Sequence, residues 1–441
     1  MEDILFTSAA SLAQAIRAKR VSSREVVEAH LRRIEAVNPK LNAVAQLAGD
    51  AALARATELD DVLARGQVVG PLHGVPFTVK DWIETNDAIC AAGIPERRGF
   101  VPKRDATVVT RMRAAGGIFL GKTIDNARND NRVYGACHNP YDLERTPGES
   151  SSGEAALIAA GGSPVGLGSD SGGSLRYPAH CCGIATLKPS AGRVPLTGHF
   201  PRIDSMIDTR TQIGPLARSV DDLALVLPII AGPDGRDPGT APIPLGDWRA
   251  VELRGLRVAF FTGFERASPD GATVAAVRTA AAALTGAGAV VEERLPPRIE
   301  ESWDITLVHW GRVRSYSWSQ WRAERQHRLT TDQIERGLFA WGRLQRDMLA
   351  FMERYDALLC PAAPGPAQRP QDIAGAEPFV FTLPFSLTGQ PVAVVRAATS
   401  PEGLPIGVQL IARMWRDDLA LAVAKQVETA LGGWQPPSLA P

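Results

Sequence analysis

The amino-acid sequence predicts an α/β fold, a mixed, largely parallel β-sheet sandwiched by α-helices. The main observation is that helical and extended patterns alternate along most of the chain. The second is composition, because apolar residues make up 45% of the chain, as in globular proteins. The third is length, since 441 residues are enough for a large core in one domain or in several smaller ones.

The first half of the chain begins with helices. Ser22 and Glu25 predict a capping box, and apolar residues at helical spacing continue that helix to a stop near Pro39. The apolar run at 75–79 predicts a strand that ends at Lys80. The other elements predicted in this half are helices over 50–65, 108–115 and 154–160 and strands over 117–120 and 165–168.

The second half continues the alternation. Ser219 is a predicted helix cap, and the segment 231–248 is rich in Pro, Gly and Asp, which indicates a surface connection. The predicted elements are helices over 219–227, 272–284 and 419–431 and strands over 256–261, 289–292, 391–395 and 406–411. The segment 303–346 has a helical pattern and carries Trp303, Trp310, Tyr316, Trp318, Trp321 and Trp341, which suit either core packing or a pocket wall.

Charge and cysteine content exclude several classes of protein. Lys plus Arg equals Asp plus Glu at 48 each, so we expect no nucleic-acid partner and no acidic membrane partner. No apolar run approaches the roughly 18 residues of a membrane span, and the N-terminus lacks a signal-peptide pattern, so we expect a cytoplasmic protein. The five cysteines are irregularly spaced, and the adjacent His180, Cys181 and Cys182 do not make a zinc motif. We therefore expect no metal and no organic cofactor.

The glycine- and serine-rich segment 148–189 carries the chemistry. Small consecutive residues let several backbone N–H groups face one point and form an anion-binding nest. Ser174 follows Ser171, Gly172 and Gly173, so a carbonyl attacked by its hydroxyl would place its oxygen among such donors. This pattern predicts a nucleophilic serine beside an oxyanion hole.

A serine hydroxyl needs a base to take its proton. None of the seven histidines lies in a recognisable triad motif, and Arg176 breaks the Gly-x-Ser-x-Gly elbow at Ser174. Lysine serves as a base when burial keeps it neutral. Lys80 follows an apolar strand, which favours such burial, although a plain surface lysine at a strand end is the ordinary alternative.

These segments resemble the amidase signature family. The matching stretches are PFTVKD (76–81), GESSSGE (148–154), GSDSGGSLRYPA (168–179), GIATLKP (183–189), GPLARSVDD (214–222) and GLPIGVQL (403–410). The resemblance runs from about residue 8 to about residue 431. It implies a single amidase-signature domain over 1–441, with a signature core over about 72–225 and a helical, Trp-rich insertion over about 300–353.

The resemblance also implies roles for matching positions. Ser174 would be the nucleophile, Lys80 the base, and Ser150 the serine that follows a cis peptide bond and relays a proton between them. The backbone N–H groups of Ser171, Gly172 and Gly173 would hold the oxyanion. The supporting residues would be Ser151, Asp170 and Arg176, the last two paired with each other, with the backbone, or facing solvent. Ser150 as an ordinary helix cap is compatible with the relay.

The sequence departs from the family pattern at three places. Glu149 and Ser152 stand where the family usually has glycine, so we expect backbone strain at Ser152 and a carboxylate that raises the pKa of Lys80. A polar segment also replaces the usual apolar wall after Thr123. Its polar residues are Asn126, Arg128, Asn129, Asp130 and Asn131, of which Asn129 is a candidate substrate contact.

Other classes of protein remain open. The residues between Gly116 and Thr123 match the nucleotide-binding pattern Gly-x4-Gly-Lys-Thr, although the intervening apolar residues suit a strand better than a loop. An inactive scaffold on the same fold is a second possibility. The glutaminase subunit of a tRNA-dependent amidotransferase is a third, within the family.

The function most consistent with the resemblance is hydrolysis of a C–N bond through an acyl-enzyme on Ser174. Amides, carbamates (urethanes) and esters share the same oxyanion, so the residues alone do not separate them. The aromatic segment favours a small aryl or apolar amide or carbamate. The expected partner is that small molecule, and the expected state is a monomer or a homodimer.

Overall fold

A computed structural model of the chain describes residues 4–125, 131–202, 208–316, 329–437 and 439, with only the backbone described over 311–316. The described strands are β1 Val44–Leu47, β2 Pro76–Lys80, β3 Ile118–Thr123, β4 Val165–Asp170, β5 Ala185–Lys188, β6 Gln212–Ala217, β7 Arg257–Phe260, β8 Val290–Glu293, β9 Ala357–Pro361, β10 Val392–Thr399 and β11 Pro405–Ala412. They form a single sheet in the order β1-β3-β2-β4-β6-β5-β10-β11-β9-β7-β8.

Helices alternate with these strands along the chain. They are α1 Ala9–Arg17, α2 Ser23–Leu41, α3 Gly49–Ala64, α4 Thr107–Ala114, α5 Ser152–Ala159, α6 Arg176–Cys181, α7 Val220–Ile230, α8 Gly271–Gly286, α9 Glu301–Tyr316, α10 Thr331–Met352, α11 Leu383–Thr388 and α12 Asp417–Leu431. In the described parts of the Trp-rich segment, α9 and α10 confirm the predicted helical character. None of the helices in the described ranges combines the length and the apolar character of a membrane-spanning segment.

The sheet is mixed, as predicted, but it is not largely parallel, because only four of the ten neighbouring pairs of described strands are parallel. Strand β2 pairs in parallel with both β3 and β4, and β7 pairs in parallel with both β8 and β9. The other neighbouring strands are antiparallel. Lys80 ends β2, and the segment 171–175, called the glycine loop below, follows β4. These two strands are adjacent and run in the same direction, so their carboxyl ends meet at one edge of the sheet.

Apolar side chains cover both faces of the sheet. In β3, Phe119 packs into a core cluster shared with α1, α4 and α7, whereas Ile118 and Leu120 pack into a second cluster shared with α2, α3 and α5. Because successive side chains of a strand point to opposite faces, these two clusters lie on opposite sides of the sheet. The predicted α/β sandwich is confirmed.

The predicted elements near the N-terminus hold with one correction. The capping box of Ser22 and Glu25 is present. Helix α2, however, continues through Pro39 to Leu41 and ends at Asn42, which adopts the left-handed conformation. Proline removes one helical hydrogen bond, and the last turn tolerates that loss because the buried Leu41 anchors it in the core.

Candidate active site

Lys80 is the last residue of β2, and its side chain is completely buried. Its Nζ is in hydrogen-bond contact with Ser150 Oγ and lies 3.1 Å from Ser169 Oγ. The ring centroid of Trp82 is 4.6 Å from Nζ. The amine is therefore enclosed by two hydroxyl groups and an aromatic face, as expected for a lysine that has lost its hydration.

This enclosure changes the acidity of the amine. Burial lowers the pKa of Lys80 to about 8, although the carboxylates of Asp125, Asp170 and Glu154 act to raise it. Burial dominates because an ammonium group loses more hydration energy than these three carboxylates return. The predicted desolvation of Lys80 is present, and the surface alternative does not apply.

Ser150 lies in a tight turn that differs from the expected one. Among the described residues the cis peptide bond is the one between Phe200 and Pro201, so the bond before Ser150 is not cis and that prediction is corrected. The chain instead reverses through left-handed conformations at Gly148 (φ 97°) and Ser150 (φ 65°). A left-handed non-glycine residue costs roughly 1–2 kcal/mol, less than the roughly 3–4 kcal/mol of a non-proline cis bond.

The two departures in this turn also differ from expectation. Ser152 is the first residue of α5 and is not among the residues with positive φ, so the predicted strain lies at Ser150. The electrostatic influence of Glu149 falls on Tyr177 and Cys181, whose pKa values it helps to raise after the larger effect of burial. The carboxylates that raise the pKa of Lys80 are those of Asp125, Asp170 and Glu154.

Ser151, rather than Ser150, is the residue that caps α5, and its hydroxyl makes no capping hydrogen bond. Its Oγ instead donates to the backbone oxygen of Ser169 at 3.2 Å and lies 3.3 Å from the Ser169 nitrogen. These contacts attach the Ser150 turn to the end of β4. Ser151, predicted as a supporting residue, thus links the turn at Ser150 to the end of β4 that precedes the glycine loop.

The glycine loop connects β4 to α6. Ser174 lies near the end of this loop and is half-buried. The Ser174 hydroxyl has no hydrogen-bond partner among the residues that the structure describes. Over the same part of the chain, the backbone N–H groups of 171–174 make no hydrogen bond to a protein acceptor. Thr382 Oγ1 donates to the Gly172 carbonyl oxygen and holds the loop in place. The N–H groups are thus available to an anionic ligand.

Asp170 and Arg176 flank this loop as a buried ion pair. Arg176 Nε lies 3.0 Å from Asp170 Oδ2, and both side chains are completely buried. Asp170 Oδ2 also accepts from the Leu175 nitrogen at 3.1 Å. Burial acts to raise the pKa of Asp170, but Arg176 outweighs it and the pKa is lowered. The predicted pairing of these residues is present, and it fixes both ends of the loop.

Aromatic side chains pack against the glycine loop. A Cβ placed on Gly172 would lie 2.9 Å from Trp310 Cζ2, and one on Gly173 would lie 2.5 Å from Phe379 Cδ1. Trp310 is half-buried, whereas Trp341 is buried and donates from Nε1 to the Leu387 carbonyl oxygen at 2.6 Å. The aromatic segment therefore supplies both core, through Trp341, and a wall beside the loop, through Trp310.

Part of the predicted pocket wall lies outside the described residues. This applies to Asn126, Arg128, Asn129, Asp130, Trp318 and Trp321. Asn131 is described and is buried, with Nδ2 donating to the Asp125 carbonyl oxygen at 2.7 Å and Oδ1 accepting from the Tyr134 nitrogen at 2.8 Å. These bonds make Asn131 a turn residue rather than a substrate contact.

The nucleotide-binding pattern does not form a phosphate loop. Its residues from Ile118 onward are strand β3, and Lys122 is completely buried with Nζ donating to the Ile83 carbonyl oxygen. Its Thr123 donates from Oγ1 to Glu154 Oε1 at 2.9 Å. Both functional groups of the pattern are thus occupied by the protein itself, and that hypothesis is wrong.

Three further side chains lie near Lys80 without a role predicted from the sequence: Ser169, His199 and Glu154. Glu154 accepts from Thr78 Oγ1 at 2.6 Å and from Thr123 Oγ1, the residue paired with Lys80 across the sheet. Burial raises the pKa of Glu154 to about 8. Ser169 and Glu154 lie within the quoted motifs, but no local pattern distinguishes them, and His199 has no motif at all.

The chain was compared with known proteins. The amidase family model matches residues 25–319 and 310–421. An acylamidase of Rhodococcus erythropolis is 33% identical over 97% of this chain and 96% of its own length. A glutamyl-tRNA(Gln) amidotransferase subunit of a Synechococcus species (strain CC9902) is 32% identical over 93% of each chain. The crystal structure of a bacterial aryl acylamidase superposes with a TM-score of 0.83, at 26% identity over 96% of both chains.

The class defined by the fold and the site is that of an α/β hydrolytic enzyme with a serine-rich loop beside a buried amine. The chain belongs to the amidase signature family. It is a hydrolase that acts on the C–N bonds of amides other than peptide bonds.

Proposed function

We propose that the protein is a serine hydrolase in which Ser174 forms the acyl-enzyme, Ser150 relays the proton and Lys80 is the base. The observation that carries the proposal is the contact of the completely buried Lys80 amine with the Ser150 hydroxyl. A lysine is a base only when neutral, and burial lowers the pKa of this one to about 8. Roughly a tenth of the amine is therefore neutral at pH 7, and the neutral fraction rises to about half near pH 8.

In the first half-reaction, Ser174 Oγ attacks the carbonyl carbon of the substrate. Its proton passes to Ser150 Oγ as the Ser150 proton passes to Lys80 Nζ. The carbonyl oxygen gains the negative charge and is held by the N–H groups of Ser171, Gly172 and Gly173, which make no hydrogen bond to an acceptor in the described part of the chain. The C–N bond then breaks, the proton returns through Ser150 to the leaving nitrogen, and the acyl group stays on Ser174.

In the second half-reaction, water takes the place of the released amine. Its proton follows the same path through Ser150 to Lys80, and its oxygen attacks the acyl carbon. Collapse of the second oxyanion breaks the bond to Ser174 Oγ, which recovers its proton through the relay. The acid is released, and the three side chains return to their starting states. No metal ion or organic cofactor takes part in these steps.

The substrate that fits this site best is a small aryl or apolar amide or carbamate. Trp310 and Phe379 lie beside the glycines of the loop, and aromatic walls favour flat, apolar groups. The likeness to a bacterial aryl acylamidase supports the same substrate class. Urethanase and esterase activities are proposed alongside it, because an aryl carbamate or ester presents the same carbonyl to Ser174.

The test is a panel of chromogenic anilides, aryl carbamates and aryl esters, assayed with the wild-type protein and with Ser174→Ala. We expect hydrolysis by the wild type, with loss of at least about 10³-fold in Ser174→Ala. A fluorophosphonate probe should label the wild type and fail to label the variant. Equal turnover by both proteins would refute the assignment of Ser174.

A second candidate is the glutaminase subunit of an amidotransferase, which the 32% identical Synechococcus relative favours. That function requires free glutamine as substrate and a partner protein. Purified protein should therefore be assayed for ammonia release from glutamine and for aniline release from an anilide. Activity on the anilide by the purified chain, without a partner protein, would count against the glutaminase function, and activity on glutamine alone would replace the aryl amidase proposal.

We further infer a cytoplasmic monomer or homodimer without nucleic-acid or membrane partners. The five cysteines are all buried and free, which suits a reducing compartment. Size-exclusion chromatography with light scattering distinguishes the two oligomeric states, and a larger hetero-complex isolated from cells would contradict both.

A further inference from the structure

His199 is almost completely buried and contacts Ser169, the second serine whose hydroxyl lies beside the Lys80 amine. Its Nε2 lies 2.9 Å from Ser169 Oγ, and its Nδ1 lies 3.2 Å from the Pro201 carbonyl oxygen. The Trp82 ring packs against the His199 ring in an edge-to-face arrangement, with ring centroids 5.9 Å apart. A hydrogen-bonded series therefore runs from a backbone carbonyl through His199 and Ser169 to the amine of Lys80.

The direction of these hydrogen bonds follows from their ends. A carbonyl oxygen only accepts, so His199 Nδ1 carries a hydrogen and donates it to Pro201. Burial, with the charge of Lys80, lowers the pKa of His199 to about 4, so the ring is neutral near pH 7 and has no second hydrogen. Nε2 is then an acceptor, and it takes its hydrogen from the Ser169 hydroxyl.

A hydroxyl that donates to His199 offers only lone pairs to Lys80. Ser169 Oγ, 3.1 Å from Nζ, therefore accepts one N–H of the amine. A second acceptor, the Ser169 backbone oxygen, lies 3.5 Å from the same nitrogen. A neutral amine has two hydrogens and one lone pair. With its hydrogens directed at Ser169, its lone pair is left to face the remaining neighbour, Ser150 Oγ.

We propose that His199 is a positioning residue that, through Ser169, turns the lone pair of Lys80 toward Ser150. The inference rests on the proposed role of Lys80 as the base. Without an acceptor at His199 Nε2, the Ser169 hydroxyl is free to donate its own hydrogen to the Lys80 lone pair. That arrangement would block the base with a competing hydrogen bond while leaving the fold and the substrate pocket unchanged.

Two substitutions of His199 separate its two hydrogen bonds. His199→Gln carries an amide oxygen at about the reach of Nε2 and keeps the acceptor for Ser169. His199→Asn reaches only to the position of Nδ1 and loses that acceptor. We expect kcat to fall by about 10²-fold in His199→Asn, the lower end of what a positioned base contributes. In His199→Gln we expect a loss below about tenfold, with KM unchanged in both.

The decisive measurement repeats His199→Asn in a Ser169→Ala background. Without the hydroxyl there is nothing for His199 to direct, so its substitution should change kcat of Ser169→Ala by less than about twofold. Equal losses in the two backgrounds would mean that His199 acts only through packing and would overturn the inference. Thermal melts of all variants show whether the proteins are folded under assay conditions.

A matched control is His30→Asn. His30 is also completely buried and has its Nδ1 3.1 Å from a backbone carbonyl, that of Gly161, but it makes no contact with Lys80. We expect its kcat to stay at the wild-type value, and a loss equal to that of His199→Asn would count against a specific role. Lys80→Ala tests the proposed proton relay separately from the role of His199. Full turnover by Lys80→Ala would overturn the relay and this inference together, whereas its inactivity leaves the His199 comparison as the test of the inference alone.

Discussion

Two completely buried lysines each end a strand of the sheet, and only one of them contacts hydroxyl groups that could exchange a proton with it. Lys80 ends β2, and Lys188 ends β5. Burial lowers the pKa of each, to about 8 for Lys80 and to about 7 for Lys188. Lys188 Nζ donates to the Pro189 carbonyl oxygen at 3.1 Å, whereas Lys80 contacts two serine hydroxyls.

The comparison teaches that burial produces a neutral amine but does not by itself produce a catalyst. A base also needs a proton donor within reach and a reacting group beyond that donor. Lys188 has the more depressed pKa of the two, yet its neighbour is a carbonyl oxygen, which has no proton to give. The contact with Ser150, rather than the pKa, therefore distinguishes Lys80.

The largest expected effect separates these two lysines directly. We expect Lys80→Met to reduce kcat by about 10³-fold or more, because the relay loses its base. Lys188→Met, which removes an equally buried amine, should reduce kcat by less than about tenfold, since no proton path leads to it. Steady-state kinetics on one anilide measures both. Comparable losses in the two variants would remove the distinction drawn between the lysines.

The second effect concerns Asp170, whose carboxylate raises the pKa of both lysines. Asp170→Ala leaves the buried Arg176 without its partner, and breaking such a pair costs roughly 3–5 kcal/mol of unfolding free energy. Urea denaturation measures the loss. The control is Glu58→Ala, which breaks an exposed pair with Arg55 on a helix surface and should cost at most about 1 kcal/mol.

The third effect tests the two hydrogen bonds that the buried Glu154 accepts from the strands beside Lys80. Glu154→Ala removes the acceptor of both the Thr78 and Thr123 hydroxyls, and we expect it to lower the unfolding free energy by about 1–3 kcal/mol. Glu154→Gln keeps an acceptor and a donor at the same place and should cost less than the alanine variant. Equal destabilisation in the two variants would indicate that the contacts with the threonines contribute little.

The smallest effect is a displacement of the pH profile. The base must be neutral, so kcat/KM should rise with pH and reach half of its plateau near pH 8, the pKa of Lys80. The charged form of Glu154 raises that pKa, so Glu154→Gln should move the midpoint to lower pH by less than about one unit. Lys188→Met should leave the midpoint near that of the wild type. An activity maximum at acid pH would contradict Lys80 as base.

Much of the fold follows from local sequence patterns. The strand before Lys80 and the helix capped by Ser22 have strong periodic patterns and appear where predicted. Strand β6 escaped prediction because it contains Gly214 and Pro215, residues that strands avoid. Glycine is required there, since a Cβ on Gly214 would overlap the Leu187 carbonyl oxygen. Tertiary packing thus selects a residue that local propensity rejects.

In the candidate site, too, some residues could be predicted from local motifs and others are brought together only by the fold. Lys80, Ser150, Asp170 and Arg176 were predictable because they lie in long motifs. His199 is 30 residues from Ser169 and meets it only through the fold. The left-handed Ser150 was not predictable either, because a turn can reverse by several combinations of torsion angles, and the motif does not specify which. The roles of the relay residues and of the oxyanion donors remain proposals that the kinetic variants test.

The close packing against Gly172 and Gly173 has a consequence for engineering this enzyme toward new substrates. A methyl group at either position would collide with Trp310, Phe379 or Thr382, so the proposed oxyanion loop cannot vary by itself. Mutant libraries aimed at altered selectivity belong on Trp310 and Phe379, where smaller side chains open space. Saturating the two glycines would yield mainly inactive clones.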